Sequence, residues 1–273
     1  MRTLTAAAAA LALACAQACD PDAGDAPARY DPSTFTAADE EAIAKALERE
    51  RYRDESVVVI APEADRFTDG AYDYLRPVLR ELVDQPAVTR RDSFAWDLWL
   101  VLDDDPHAYT LPGGRIVLHT GLLHALADEA ELAGVLAREI ALAEIGAAMA
   151  ALDREVDDNV TLGDMIVGTP VPLDALVARL PHLAYDPADV ARADSLAALL
   201  LCPGDREELA VGTALGRVGD LGPGSRYEAA RPLPDGTSRG AWAAAWGARV
   251  SACGGPDSLY AARYRAAVGA YVP

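Results

Sequence analysis

The most constraining feature of the sequence is the stretch 111–149, which reads LPGGRIVLHTGLLHALADEAELAGVLAREIALAEIGAAM. It opens with a Pro-Gly-Gly turn, and residues 115–119 that follow are rich in β-branched and apolar residues, as in a strand. It then becomes helical, because apolar residues recur at three- and four-residue spacing, with no Gly or Pro between Gly134 and Gly146. The pattern therefore predicts a strand that meets an apolar helix bearing a few charges.

Three motifs lie around this helix in a set order: HAYTLPGG at 107–114, TGLL at 120–123 and ELAGVLA at 131–137. In order and spacing they resemble the HtpX- and BepA-type zinc metallopeptidases, relatives of the prenyl-protein endopeptidase. The resemblance implies a mainly helical α+β fold of the zincin-like (gluzincin) type, with a small antiparallel sheet. We expect this metallopeptidase-like domain to span residues 36–273.

The residues that bind zinc in this family are replaced here. The family's helix carries His-Glu-x-x-His, whose two histidines lie on one face and hold zinc, while the Glu is the general base. The matching positions are Arg138, Glu139 and Leu142, so only Glu139 remains, as a vestigial general base. The third ligand, a Glu in a later Glu-x-x-Ala-Asp run, corresponds to Val190, and that run ends at Asp194. A guanidinium and two aliphatic side chains offer zinc no lone pair, so we expect no metal cofactor.

The vacated position must be filled by something else. A lone buried guanidinium would cost several kcal/mol. Asp194 matches the family's carboxylate that orients a ligand on the active helix, and its shape suits a two-pronged contact with Arg. We therefore expect Arg138 to pair with Asp194, with Glu139 as second choice, and Leu142 and Val190 to pack at the same place.

These replacements predict a catalytically inactive metallopeptidase-like protein, a pseudopeptidase, that binds polypeptides or regulates a partner. That partner would be an active peptidase or an outer-membrane assembly component. The alternative is an active zinc-dependent metalloendopeptidase with divergent ligands. One such site would join His119 and His124 to Glu129 or Glu144, although a spacing of five suits neither one helical face nor one strand face.

A hairpin beside the active helix is the expected binding surface. Residues 93–103 alternate with period two, which predicts a strand, and the strand ending at Thr120 would pair with it. In the family this hairpin offers its edge to an extended peptide, which needs backbone hydrogen bonds and no metal. The residues assigned to this edge are Leu111, Gly113, Gly114, Arg115, Ile116 and Val117.

Residues 1–19 have the form of a signal peptide, with Arg2, an apolar run at 4–14 and Ala-Gln-Ala at 16–18. Cys19 follows directly and is the expected lipidated residue, with Cys15 as the alternative. Residues 20–35 then read as a flexible tether. We expect a lipoprotein of the bacterial cell envelope, held to a membrane by its lipid and facing the periplasm; the alternative is a soluble periplasmic or secreted protein.

The net charge, the cysteines and the remaining periodic segments give further predictions about partners, a disulfide and secondary structure. The formal net charge of −19 argues against nucleic acid as a partner. Cys202 and Cys253 are compatible with one disulfide or with two separate thiols. Helices are expected at 36–54, 68–83, 173–180, 187–201 and 205–218, a strand at 56–61, and a polar connector at 152–172. A loop at 219–240 precedes two C-terminal helices, of which the last covers 258–268.

Overall fold

The computed structural model of the protein describes residues 35–51, 53, 57–60, 66–156, 161–201 and 260–268. Several predictions lie outside these ranges: the signal segment with Cys15 and Cys19, residues 20–34 of the tether, the helix at 205–218, the loop at 219–240 and the pair Cys202 and Cys253. Within the described ranges, no helix is long and apolar enough to cross a membrane.

The described residues are mostly helical. The α-helices are α1 (Ala37–Arg51), α2 (Arg66–Val83), α3 (Thr120–Ala125), α4 (Glu129–Glu144), α5 (Ala147–Glu155), α6 (Leu162–Val167), α7 (Asp174–Arg179), α8 (Pro187–Leu201) and α9 (Ala261–Val268). Two short 3-10 helices are η1 (Pro112–Gly114) and η2 (Leu180–His182). The predicted helices at 36–54, 68–83, 173–180, 187–201 and 258–268 are thus confirmed with shifts at their ends, whereas α6 lies within the segment that was predicted to be a connector.

Four strands form one sheet in the order β1-β2-β4-β3, where β1 is Val58–Ile60, β2 is Asp97–Leu102, β3 is Ala108–Leu111 and β4 is Arg115–His119. The pairs β1–β2 and β3–β4 are antiparallel, and β2–β4 is parallel. The sheet is therefore mixed rather than antiparallel. Strands β2 and β4 pair as predicted, but in parallel, so the predicted hairpin between them is wrong. The reason is β3: the chain passes from β2 to the far edge, forms β3 there, and returns between them as β4.

The turn at η1 makes this return short. Gly113 and Gly114 have φ angles of 71° and 83°, in the left-handed region that side chains with a Cβ rarely adopt. A Cβ on Gly114 would also lie 2.9 Å from the Trp96 indole. Three residues thus suffice to join β3 and β4, whose register pairs Leu111 with Arg115.

Helix α4 lies at the centre of the molecule. Asp128 begins it, because its carboxylate accepts a hydrogen bond from the Glu131 amide at 2.9 Å. Every residue from Glu129 to Ala143 is buried, since α2, α8 and β3 pack around the helix. A helix covered on all sides is apolar nearly all round, so each charge that it carries needs a partner inside the protein.

Candidate functional site

The site is formed where α4 packs against α8. Arg138 of α4 and Asp194 of α8 are both fully buried, and the Arg138 Nε lies 2.8 Å from the Asp194 Oδ1. This ion pair confirms the partner expected from the sequence. Because neither group reaches water, the two charges depend on each other for their solvation.

Helical spacing gathers the other two replaced positions at the same contact. Leu142 follows Arg138 by one turn of α4, and Val190 precedes Asp194 by one turn of α8. All four side chains are fully buried. The two helices therefore meet at a buried ion pair, with the buried side chains of Leu142 and Val190 one helical turn away on each helix. Direct contact between Leu142 and Val190 stays a prediction.

The donor set does not fit zinc. A guanidinium is permanently cationic and has no lone pair to give, and the Leu142 and Val190 side chains carry no donor atom. Among the described residues, no group of three or more His, Cys, Asp or Glu side chains is placed to hold a metal ion. Glu139 follows Arg138 and is buried as well. Its role as a vestigial general base stays a prediction.

The first turn of α4 is held by the C-terminal helix. The buried Glu129 carboxylate accepts a two-pronged contact from Arg263 of α9, and the Tyr74 hydroxyl donates to it at 2.7 Å. Burial and this hydrogen bond raise the pKa of Tyr74. The Tyr264 hydroxyl donates to the Leu123 carbonyl at 2.5 Å. No sequence motif predicted the contact between Glu129 and Arg263. The signal that could have predicted it is an acidic residue on a helix that is buried on all sides, because such a residue needs a cation beside it.

The predicted peptide-binding edge is partly wrong. Arg115, Ile116 and Val117 lie in β4, an interior strand paired with β2 on one side and β3 on the other, so they offer no free edge. Arg115 instead donates to the Glu41 carboxylate of α1 at 2.5 and 2.8 Å, which lowers the pKa of Glu41 to about 2. Sequence patterns missed this because β4 was assigned to a two-stranded hairpin.

The other predicted edge residues lie on or beside β3. Leu111 ends β3, which is an edge strand of the described sheet, while Gly113 and Gly114 lie in η1, which packs on α1. All four residues of β3 are buried. Of the predicted edge residues, only Leu111 therefore lies in an edge strand of the described sheet, and that strand is covered in this structure.

A group of histidines near β3 was not foreseen. His107, His119 and His182 lie close together: the His107 ring centroid is 5.6 Å from that of His119 and 5.9 Å from that of His182. The Asp103 carboxylate lies 3.6 Å from the His119 Nδ1. The alternative metal site considered from the sequence joined His119 to His124, which is exposed at the end of α3. Three of the four histidines of the chain are thus brought together from distant positions.

Comparison with known proteins supports the resemblance. Residues 72–144 match Peptidase family M48. The chain is also 35% identical over 68 residues to the mitochondrial metalloendopeptidase OMA1 of Schizosaccharomyces pombe. That alignment covers 25% of this chain and 19% of the relative, so the chain spans about a fifth of the relative's length. The family match ends at Glu144, and so includes Arg138, Glu139 and Leu142 but not α8.

Proposed function

We propose that this chain, which is metallopeptidase-like of the M48 type over α2 to α4, is a pseudopeptidase: it binds polypeptides and does not cleave them. One observation carries the proposal, the buried ion pair between Arg138 and Asp194. Peptide hydrolysis in such a fold needs a metal ion that activates water. Here a cationic side chain lies at the first ligand position, and it would repel a divalent metal.

Admitting a metal would also require the pair to separate. Moving Arg138 away would strand the Asp194 carboxylate in a fully buried position, and breaking such a pair costs about 3–5 kcal/mol. Leu142 and Val190 would still supply no ligand in return. The packed, pair-filled contact between α4 and α8 therefore competes strongly against metal binding.

Strand addition at β3 is the binding mode that we propose. The His119 amide donates to the His107 carbonyl at 3.0 Å, which marks residues 107 and 119 as a hydrogen-bonded pair of the antiparallel ladder. Such pairs alternate, so Tyr109 and Leu111 bond to β4, whereas the backbone groups of Ala108 and Thr110 point away from β4. An extended polypeptide would pair along this side of β3, in place of the contacts that the outward groups make in this structure.

The net charge narrows the class of polypeptide. A chain with a formal charge of −19 repels acidic segments and attracts neutral or basic ones. We place this binding at the bacterial cell envelope, with Cys19 as the lipid anchor, or Cys15 in its place. If the bound polypeptide is a folded partner, we propose that the chain regulates it, and that the partner is an active peptidase or an outer-membrane assembly component.

Binding of an unfolded, fluorescently labelled casein-type polypeptide tests the proposal, followed by anisotropy for affinity and by intact mass for cleavage. Thr110→Pro removes an outward N–H without touching the bonds from β3 to β4, so it should weaken binding about tenfold, the equivalent of one hydrogen bond of about 1.4 kcal/mol. Thr110→Val is the matched control, because it removes the hydroxyl but keeps the N–H, and it should bind as the wild type does.

Two results would contradict the proposal. Cleavage that disappears in Glu139→Gln would show an active enzyme with divergent ligands. Equal binding by Thr110→Pro and Thr110→Val would show that β3 is not the binding edge.

A further inference from the structure

The histidines form a continuous contact from the surface to the interior. His182 is exposed on η2, while His107 and His119 are buried beside the ends of β3 and β4. The His107 and His182 rings meet edge to face, at an interplanar angle of 67°. Tyr109 of β3 lies against both buried rings, with centroid distances of 6.1 Å to each. We refer to His107, His119 and His182 as the histidine cluster.

The cluster joins η2 to the edge strand. The His107 Nε2 donates to the Pro181 carbonyl in η2, and η2 packs on β3. All four β3 residues are buried although β3 is an edge of the described sheet. The segment Leu180–His182 is thus part of the cover over the strand whose outward groups belong to Ala108 and Thr110.

We propose that the histidine cluster is a pH-sensitive hold on η2: it keeps η2 on β3 while its imidazoles are neutral, and it releases η2 when they become protonated. Release would uncover the part of the β3 edge that η2 covers, while α4 and α5, which also pack on β3, stay in place. The opening itself stands on the cluster alone; only the use of the uncovered edge rests on the proposed polypeptide binding.

Charge repulsion is the driving force. Protonated imidazoles about 6 Å apart repel one another, and burial adds a desolvation cost for the charges of His107 and His119. The charged groups that act on the cluster are Asp103 and Asp105, which follow β2, and Arg51 of α1. Arg154 of α5 donates to the Ala184 carbonyl just after η2.

The sign of the pH dependence follows from His119. Burial holds the pKa of His119 below its ordinary value of 6.5; Arg51 lowers it further, while Asp103 and Asp105 oppose the shift. An imidazole exposed by release returns towards its ordinary pKa, so the open state binds the proton more readily. The cover is therefore kept above about pH 6.5 and lost as the pH falls below it, by up to about tenfold per pH unit for each imidazole concerned.

Hydrogen exchange of the full-length chain at about pH 7.5 and about pH 5.5, corrected for intrinsic exchange rates, tests this release. The outward amides of Ala108 and Thr110 report on the cover, and those of Tyr109 and Leu111, bonded to β4, serve as the internal reference. In the wild type, we expect the outward amides to lose about tenfold protection or more between the two pH values, while the reference amides keep theirs.

Two variants connect the effect to the cluster. His119→Gln and the surface variant His182→Gln should reduce the pH dependence, and His124→Gln, exposed and outside the cluster, should keep it. Protection that is independent of pH in the wild type, or an identical pH response in all three variants, would overturn the proposal.

Polypeptide affinity measured at the same two pH values separates this inference from the proposed function. If the outward amides open on acidification but affinity stays constant, the release stands and binding at β3 does not. If affinity rises on acidification together with opening, both stand.

Discussion

Replacing Arg138 with methionine tests the ion pair most sharply. The variant removes the guanidinium but keeps most of the apolar stem, so the main change is a charge left behind. Asp194 would then be a carboxylate with no exposed surface and without its buried cation. Removing one partner of a buried pair destabilises a protein by about 3–5 kcal/mol, so we expect a loss of about 3 kcal/mol or more.

A matched control lies on α8, the helix that carries Asp194. Arg192 of α8 contacts Asp189 at 3.1 Å, but its side chain is 52% exposed. Exposed pairs of this kind contribute about 0–1 kcal/mol, so Arg192→Met should unfold close to the wild type. The double variant Arg138→Met with Asp194→Leu removes both buried charges, and we expect it to regain most of the stability or to exceed the wild type.

Urea unfolding, followed by circular dichroism, gives the free energy of unfolding of all four proteins. With a slope of about 2 kcal/mol per molar urea, a loss of about 3 kcal/mol moves the midpoint down by about 1.5 M. The reasoning would be refuted if Arg138→Met had the same midpoint as Arg192→Met, or if the double variant were as unstable as the single one.

Two further predictions concern the C-terminal helix and the N-terminus. Tyr264→Phe removes the hydrogen bond to the Leu123 carbonyl inside the protein and leaves that acceptor buried, so thermal unfolding should show a loss of about 1–3 kcal/mol; an unchanged midpoint would show that this bond between α9 and α3 does not stabilise the protein. Cys19→Ser should abolish acylation and move the protein from the membrane fraction to the soluble one, as seen by metabolic labelling with a fatty acid. If that variant stays acylated, the anchor is Cys15 or another residue.

The ion pair could be predicted because its causes are local. Arg138 and Leu142 are separated by one helical turn, as are Val190 and Asp194, and a buried cation needs a buried anion. Only one long-range fact was needed, that α4 packs on α8, and the family resemblance implied it. The ion pair at the site could therefore be predicted without knowing the order of the strands in the sheet.

The sheet order could not be read in this way. Period two shows that residues form a strand, but not which strand lies beside it or in which direction. Strand β3 has four residues and runs straight into the Pro-Gly-Gly turn, so its pattern merged with that of the turn. The histidine cluster was missed for the same reason, because His107 and His119 become neighbours only when β3 pairs with β4.

Helix α6 was missed although its start has a readable signal. The Thr161 hydroxyl accepts a hydrogen bond from the Asp164 amide at 3.1 Å, and the Asp164 carboxylate accepts one from the Thr161 amide at 3.0 Å, as in a capping box. The helix has only six residues, and the residues that precede it in the sequence are mostly polar. Short helices of this kind are stabilised by packing on a neighbour, here α1, which no local pattern shows.

Zinc content tests the central claim most directly. The wild-type chain and the variant Arg138→His with Leu142→His and Val190→Glu are purified in the presence of zinc, and metal per chain is measured together with casein hydrolysis. The variant restores three ligands next to Glu139, so it should hold zinc with one position open, whether or not it regains activity. We expect the wild type to hold far less than one zinc per chain and to leave casein intact. One zinc per wild-type chain, with hydrolysis that is lost on chelation or in Glu139→Gln, would contradict the account.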